Sequence, residues 1–132
     1  MNRELRPDTM APPAAAYAHG VEVPAGARLV FTSGVVPTRT DGTVPASIGE
    51  QAALVWDNIA AILAEANMSV DDIVSVTTYV VATASLADDL REVMAARDAA
   101  LHGHLVASTL VTVPALARPE WKMEIAAIAA RL

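Results

Sequence analysis

The sequence predicts an α+β fold, a two-layer sandwich in which two helices pack on one face of a mixed β-sheet. Apolar residues alternate, or recur at helical spacing, in the order β-β-α-β-α-β-β. The clearest strand, Ile73 to Ala82, carries no charge on either face, so both faces should be covered. Because two helices cover only one face of a sheet, we expect other copies of the chain to bury the second face.

The first part of the chain predicts an arm followed by two strands. Residues 1–16 are interrupted by prolines and should form an extended arm, and residues 17–132 should form a single domain. Strands are expected from Tyr17 to Val23 and from Arg28 to Val36. Gly34 lies inside the second strand, where a glycine is typical of a β-bulge or of a close approach to the backbone.

Two helices are predicted from capping residues and apolar stripes. Ser47 and Glu50 fit a capping box, and the helix behind them should run to about Ala66. Its apolar residues recur at spacings of three and four, which gives one stripe facing the sheet. A second helix should run from near Ser85 to Leu101, with Arg97 on its inner stripe extending its charged end to solvent.

The last quarter of the chain predicts two apolar strands joined by a turn rich in proline and arginine. Glu124 lies inside the second of these strands, between Met123 and Ile125. A carboxylate in a buried strand is unfavourable unless it is paired or hydrogen-bonded. Glu124 is therefore either a functional group that positions water or transfers protons, or an ordinary residue at a solvated edge or neutralised by Lys122. The residues alone leave both alternatives open.

Composition excludes several classes of function. The net charge of −6 and the absence of a cluster of Lys and Arg argue against nucleic acid. The chain has no cysteine, and its three histidines lack carboxylates at ligand spacing, so no metal is expected. The N-terminus has no signal-peptide pattern and no apolar run approaches the ~20 residues of a membrane span. We expect a soluble, cytoplasmic protein with no membrane partner.

Other polar residues are candidates for a binding site, although none is specific alone. Ser33 and Gly34 could present backbone amides to a ligand, but a bulge explains them equally well. Ser33 is not expected to be a nucleophile, because no nucleophile elbow or catalytic triad accompanies it. Tyr17 is more often a packed strand residue than a catalytic one. Arg118 and Trp121 should anchor a turn, with Arg118 available to an anion.

The order and spacing of several short motifs resemble the Rid family (reactive intermediate deaminases, or YjgF family). The motifs, which follow Tyr17, are FTSG at 31–34, DG at 41–42, EQ-x6-NI-x2-IL at 50–63, SVDDIV at 69–74 and MEIAAIA at 123–129. The resemblance covers nearly the whole chain from Tyr17 onward. It implies a chorismate-mutase-like fold and a homotrimer, with the sheets forming a central barrel and three ligand clefts opening between subunits.

The resemblance also implies a chemistry. Members of its best-known branch hydrolyse enamines and imines such as 2-aminoacrylate to keto acids and ammonia, without a cofactor. Some relatives carry an endoribonuclease label, a role that the acidity of this chain disfavours. By the resemblance, Tyr17 lines the cleft, Glu124 positions or activates water, and the backbone of Ser33 and Gly34 donates to the substrate.

One residue departs from the family pattern. Ala107 stands where the resemblance expects an arginine, and Ser108 and Thr109 match the residues after it. That arginine would bind the substrate carboxylate through two parallel hydrogen bonds. Its loss predicts weaker binding of a carboxylate and a substrate other than 2-aminoacrylate. Arg91 or Arg118 is a hypothetical replacement.

Two functions are compatible with these residues. The first is a cofactor-free hydrolase of a small imine, enamine or related carbonyl compound that does not rely on a carboxylate. Glu124 would position water, and amides near Gly34 and Thr109 would bind the polar end of the substrate. The second is a non-catalytic trimer whose cleft binds a small metabolite, which Ala107 favours.

Overall fold

Two helices cover one face of a four-stranded mixed sheet in the computed structural model of the chain, which describes all 132 residues. A 3₁₀ turn at Val70–Asp72 immediately precedes the strand Ile73–Val81. The elements are β1 Arg3–Leu5, β2 Gly20–Glu22, β3 Arg28–Phe31, α1 Ile48–Glu65, β4 Ile73–Val81, α2 Leu86–Leu101, β5 Ala107–Val113 and β6 Met123–Arg131. The predicted fold class is confirmed, and both helices lie within a residue or so of their predicted bounds.

The closing strand β6 lies in the middle of the sheet. The strand order is β3-β6-β4-β5, with β6 antiparallel to both of its neighbours and β4 parallel to β5. A parallel pair requires a crossover connection, and α2 provides it between β4 and β5. Successive side chains of a strand point to opposite faces of its sheet, so alternate residues of β6 face the core and the opposite face.

The first predicted strand, Tyr17 to Val23, is shorter than predicted and pairs outside the main sheet. Its central part, β2, pairs antiparallel with β1, which lies inside the predicted arm, and an Arg3–Glu22 ion pair of 3.1 Å joins the two strands. Ala18 makes a single parallel bridge to Ala107 of the main sheet. The sequence did not indicate β1 because three residues are too few to show an alternating pattern.

Apolar side chains of α1 form the centre of the core. They meet alternate residues of β4 and β6 on one face of the sheet, as the stripe of α1 predicts. Each large aliphatic side chain buried in this way contributes roughly 1.5–3 kcal/mol to folding. The central members are Ala52, Val55, Ile59 and Leu63 of α1, Val76 and Val80 of β4, and Met123, Ile125, Ala127 and Ala129 of β6.

The opposite face of the sheet, here called the open face, has no covering layer within the chain. Residues paired across neighbouring strands share a face, so the register identifies its members. Phe31 is 68% exposed and Leu29 is 50% exposed. The apolar residues of the open face include Leu29, Phe31, Tyr79, Val111, Ala126 and Ile128.

Helix α1 begins with half of the predicted capping box. The Ser47 hydroxyl accepts the backbone N–H of Glu50 at 3.2 Å. The Glu50 carboxylate does not reach the Ser47 amide, and instead accepts the Ser47 hydroxyl at 3.0 Å. Neither helix of the chain combines the length and the apolar composition that crossing a bilayer requires.

The prediction that Arg97 extends to solvent is wrong. Its side chain is only 6% exposed. Its Nε and Nη2 both donate to the carboxylate of the neighbouring Asp98, at 3.2 and 3.1 Å. This local partner satisfies part of the guanidinium, so the charged end stays beneath the helix surface instead of extending into water.

A buried glutamine joins the segment before α1 to the segment that enters β6. Gln51 is fully buried. Its Nε2 donates to the carbonyls of Pro45 and Glu120 at 2.8 and 2.9 Å. Its Oε1 accepts the N–H of Lys122 at 2.9 Å. One side chain therefore satisfies three main-chain groups just before Met123.

We expect Gln51→Leu to lower the free energy of unfolding by about 3 kcal/mol, because it leaves three main-chain groups without a partner. Urea denaturation at a fixed chain concentration measures the change. Glu65→Leu, an exposed position of the same helix, is the matched control and should change the free energy by less than about 0.5 kcal/mol. A Gln51→Leu value as small as that of the control would contradict the role given to Gln51.

Candidate functional site

The backbone bulges at the position where Gly34 predicts a bulge. Strand β3 continues its pairing with β6 to Thr32 and Ala127, and pairing resumes at Val35 and Ile125. Between these points the β3 side has one residue more than the β6 side. This is the two-against-one arrangement of a β-bulge, so the prediction is confirmed.

The bulge leaves two backbone donors free. The Thr32 hydroxyl accepts the N–H of Ala127 at 2.9 Å and donates to the carbonyl of Ser33 at 2.7 Å, which fixes the strand at this point. The N–H groups of Ser33 and Gly34 donate to no acceptor within the chain. Both are therefore available to a ligand or to water.

Glu124 lies directly against the bulge. A Cβ atom added to Gly34 would overlap the Glu124 carboxylate, whose Cδ is 2.8 Å from the position that Cβ would take. The Glu124 side chain is half-buried and makes no hydrogen bond or ion pair within the chain. Lys122 does not neutralise it, because the Lys122 Nζ donates to the carbonyl of Ala46 at 2.7 Å. The bulge thus holds an unpaired carboxylate beside two free amides.

Tyr17 lies beside the first residue of β5. Its neighbour Ala18 donates its N–H to the carbonyl of Val106 at 2.9 Å and bridges to Ala107. The Tyr17 hydroxyl accepts the N–H of Ala14 at 3.3 Å. The ring meets His19 edge to face, with 6.0 Å between centroids. Tyr17 and Ala107 therefore belong to one group of residues.

This second group is distant from Glu124 within one chain. Ala107 pairs with Ser75 on β4, whereas Glu124 pairs with Tyr79, four residues further along the same strand. With about 3.3 Å per residue and 4.8 Å per strand, the Cα atoms of Ala107 and Glu124 are about 16 Å apart. The predicted site residues thus form two half-sites, one at Glu124 and Gly34 and one at Tyr17 and Ala107.

The two residues after Ala107 point to different faces. Ser108 pairs with Val76, a core residue, and so faces the helices. Thr109 pairs with Thr77, which pairs in turn with Ala126, so Thr109 shares the open face with Glu124.

The two predicted replacement arginines have local partners. Arg91 pairs with Asp88 on the exposed surface of α2. The guanidinium carbon of Arg118 lies 5.6 Å from the centre of the Trp121 ring, and Trp121 donates its Nε1–H to the Thr38 hydroxyl at 3.2 Å. Neither guanidinium hydrogen-bonds to Tyr17 or Glu124. Of the two, Arg118 lies nearer to the segment that follows the bulge.

An open cleft of about 660 Å³ runs between the bulge and α1. The side-chain amide of Asn58 in α1 donates to the carbonyls of Val36 and Thr38, both at 3.3 Å, and so fixes the segment that follows the bulge. Twelve residues line the cleft: Phe31, Thr32, Ser33, Gly34, Val35, Val36, Thr38, Arg39, Thr40, Asn58, Ala61 and Ile62.

Arg39 is a cleft residue that the sequence did not indicate. Its Nη1 donates to the Thr43 hydroxyl at 3.1 Å, and that hydroxyl donates to the Asp41 carboxylate at 2.7 Å. The hydrogen bonds from the hydroxyl and the amide of Thr43 hold the pKa of Asp41 below its usual value. No sequence pattern could place Arg39 beside the bulge, because its position depends on how the loop folds back onto α1.

The chain has no group of three or more His, Asp or Glu side chains placed to hold a metal ion. The groups present at the Glu124 half-site are a carboxylate and two main-chain donors, with the polar residues of the cleft nearby. A carboxylate in such a place can accept a proton from water or hydrogen-bond to a ligand.

Comparisons with known proteins connect the chain to one family. The family model described as Endoribonuclease L-PSP matches residues 8–131. Escherichia coli K12 TdcF, provisionally named a reactive intermediate deaminase, is 37% identical over 65 residues, which are 48% of each chain. The yeast protein MMF1 is 40% identical over 72 residues, 53% of this chain and 48% of MMF1. The chain thus spans about half the length of the relatives that it matches in sequence.

Solved structures match nearly the whole chain. The Rid-family protein YyfB from Yersinia pestis superposes with a TM-score of 0.88 at 29% identity, over 98% of both chains. TdcF from E. coli with bound serine superposes with a TM-score of 0.72 at 28% identity, over 98% of this chain and 99% of that one. With its family model matched over most of its length, this chain belongs to the YjgF/Rid family.

Proposed function

We propose that this chain is a cofactor-free deaminase that hydrolyses a small reactive imine or enamine, or a related carbonyl metabolite. The observation that carries the proposal is the unpaired Glu124 carboxylate held against Gly34, beside two free amides. Membership of a family in which a relative is provisionally named a reactive intermediate deaminase supports the same chemistry.

The reaction requires only proton transfers and water. Glu124 accepts a proton from a water molecule as its oxygen forms a bond to the imine carbon, and the π electrons of the C=N bond move to nitrogen. The nitrogen takes up one proton to give a carbinolamine and a second proton to become a leaving group. The carbinolamine hydroxyl then loses its proton as the C=O bond forms and the C–N bond breaks, which releases a carbonyl compound and ammonia. The amides of Ser33 and Gly34 hold the polar end of the substrate and stabilise charge that develops there.

The second half-site is proposed to come from another copy of the chain. Tyr17 is too far from Glu124 within one chain to share its substrate, and the open face is apolar and uncovered. A homotrimer, as the family resemblance implies, would bury this face and place the cleft between subunits. Tyr17, Ala107 and Thr109 of one copy would then line a cleft that contains Glu124 of its neighbour.

Ala107 narrows the range of substrates at that half-site. A methyl group cannot form the two charge-assisted hydrogen bonds that bind a carboxylate. The proposed substrate is therefore not held by a carboxylate at Ala107, which disfavours 2-aminoacrylate in its usual binding mode. Ser108 faces the core, so its contribution to such a cleft is through its backbone.

Ala107 also favours a second function, that of a trimer that binds a small metabolite without transforming it. The loss of an anchoring charge at Ala107 leaves a roomier and more apolar surface there. The two functions differ in whether Glu124 transfers a proton or only hydrogen-bonds to the ligand.

We expect Glu124→Gln to lower ammonia release from enzymatically generated imines by about 100-fold or more, because the amide cannot accept the proton of water. The assay compares a panel of imines with both variants. Glu120→Gln, in the turn before β6, is the matched control and should retain the wild-type rate. An equal rate for Glu124→Gln contradicts the proposed role. No turnover of any imine, with a metabolite still bound, supports the binding function instead.

Gly34→Ala should reduce activity at least about tenfold but change the free energy of unfolding by less than about 1 kcal/mol, because its methyl group displaces only the Glu124 carboxylate, the far end of a flexible side chain. Ammonia release and urea denaturation measure the two effects. Gly20→Ala is the control, because a Cβ there would lie 3.6 Å from Leu5, an ordinary contact. A Gly34→Ala variant with the wild-type rate would show that the position of the carboxylate is unimportant.

The mass in solution should be three times the 13.8 kDa of one chain, as measured by sedimentation equilibrium. Phe31→Glu should yield folded monomers, because it places a charge in the centre of an apolar interface. Leu132→Glu changes a residue of similar exposure outside the sheet face and should leave the mass unchanged. A monomeric wild type would exclude a shared cleft.

A further inference from the structure

Arg39 is the only charged side chain among the residues that line the cleft beside the bulge. The chain as a whole carries a net charge of −6, whereas the one charge in this lining is positive and is linked to Asp41 through the Thr43 hydroxyl. No Asp or Glu lines this cleft. The charge of the lining itself is therefore positive, and the Glu124 carboxylate lies against Gly34 without belonging to that lining.

Other free donors line the same cleft. The N–H groups of Ser33 and Gly34 have no acceptor within the chain. The guanidinium of Arg39 donates once, from Nη1 to the Thr43 hydroxyl, and its remaining N–H groups are unpaired. Main-chain amides and a guanidinium together are the donors that bind carboxylates most strongly.

The loop orients Arg39 through a short chain of hydrogen bonds. Asp41 accepts both the hydroxyl and the amide of Thr43, at 2.7 and 3.0 Å, so the hydroxyl hydrogen is committed to Asp41. The remaining lone pairs of that hydroxyl face Arg39. Thr43 is thus a positioning residue, which holds the guanidinium while Asp41 itself lies outside the lining of the cleft.

We propose that Arg39 is a specificity-determining residue that binds the carboxylate of the substrate in the cleft beside the Ser33–Gly34 bulge. The inference rests on the proposed function and names the class of its substrate, a small imine that bears a carboxylate. The anion is bound beside the bulge that Glu124 also contacts, and the substrate is oriented away from Ala107. Arg118 and Arg91 are less suited, because one is stacked on Trp121 and the other is paired with Asp88.

Binding of a keto acid tests the proposal without requiring turnover. Pyruvate and its neutral analogue pyruvamide are titrated at constant ionic strength into the full-length ¹⁵N-labelled protein, and amide resonances are followed by NMR. We expect pyruvate to shift the Ser33 and Gly34 resonances. Arg39→Gln should raise the Kd for pyruvate at least about tenfold and the Kd for pyruvamide less than about twofold.

Variants with matched charge separate binding from a general electrostatic effect. Arg39→Lys keeps the charge but not the planar fork, and should fall between wild type and Arg39→Gln. Arg118→Gln removes an equal charge elsewhere and should change the Kd for pyruvate less than about twofold. Thr43→Val removes the orienting hydroxyl and should weaken pyruvate binding by a few-fold.

Several results would overturn the proposal: no saturable binding of pyruvate to the wild type, an unchanged Kd for Arg39→Gln, or shifts confined to residues outside the cleft. A change in the mass of the Arg39→Gln oligomer would also overturn it, because Arg39 would then be an interface residue. Binding through Arg39 with no ammonia release from any imine would sustain this inference and reject the deaminase function. The proposal for Arg39 and the proposed deaminase function can therefore fail separately.

Discussion

The three hydrogen bonds of Gln51 position the strand on which both the core and the site depend. They join the carbonyl of Pro45, before α1, to the main chain at Glu120 and Lys122, immediately before β6. An apolar side chain of similar size would fill the same space but leave those groups unpaired, one of them buried and two partly buried. The amide thus fixes where β6 begins, and with it the position of Glu124 two residues after Lys122.

Strand β6 performs two tasks because of its central place and its period of two. Met123 and Ile125 point into the core, whereas Glu124 points to the open face. A carboxylate is tolerated there because the missing side chain of Gly34 leaves room for it and because it is only half-buried. The extra residue of the bulge turns the backbone of β3 so that its amides are free beside that carboxylate.

The sequence predicted those parts that depend on local pattern. Apolar spacing placed both helices, and the glycine within a β-branched stretch predicted the bulge at Gly34. The pattern could not show that Arg97 is buried or that Arg39 lines a cleft, because each depends on a contact made only after folding. Glu124 was identified from its apolar neighbours. Its separation from Ala107 follows from the register of β5 and β6 with β4, and the sequence of one strand does not specify that register.

The separation of the half-sites changes the significance of Ala107. Glu124 and the free amides of the bulge form one half-site, and Arg39 lines the cleft beside the same bulge. The other half-site offers the ring of Tyr17 and small or polar strand residues, which define shape more than charge. A carboxylate can be recognised from either side of a cleft, provided that the bond to be hydrolysed still meets the water that Glu124 is proposed to position. An alanine at position 107 therefore alters the direction in which a substrate is held, without removing the groups that the proposed hydrolysis requires.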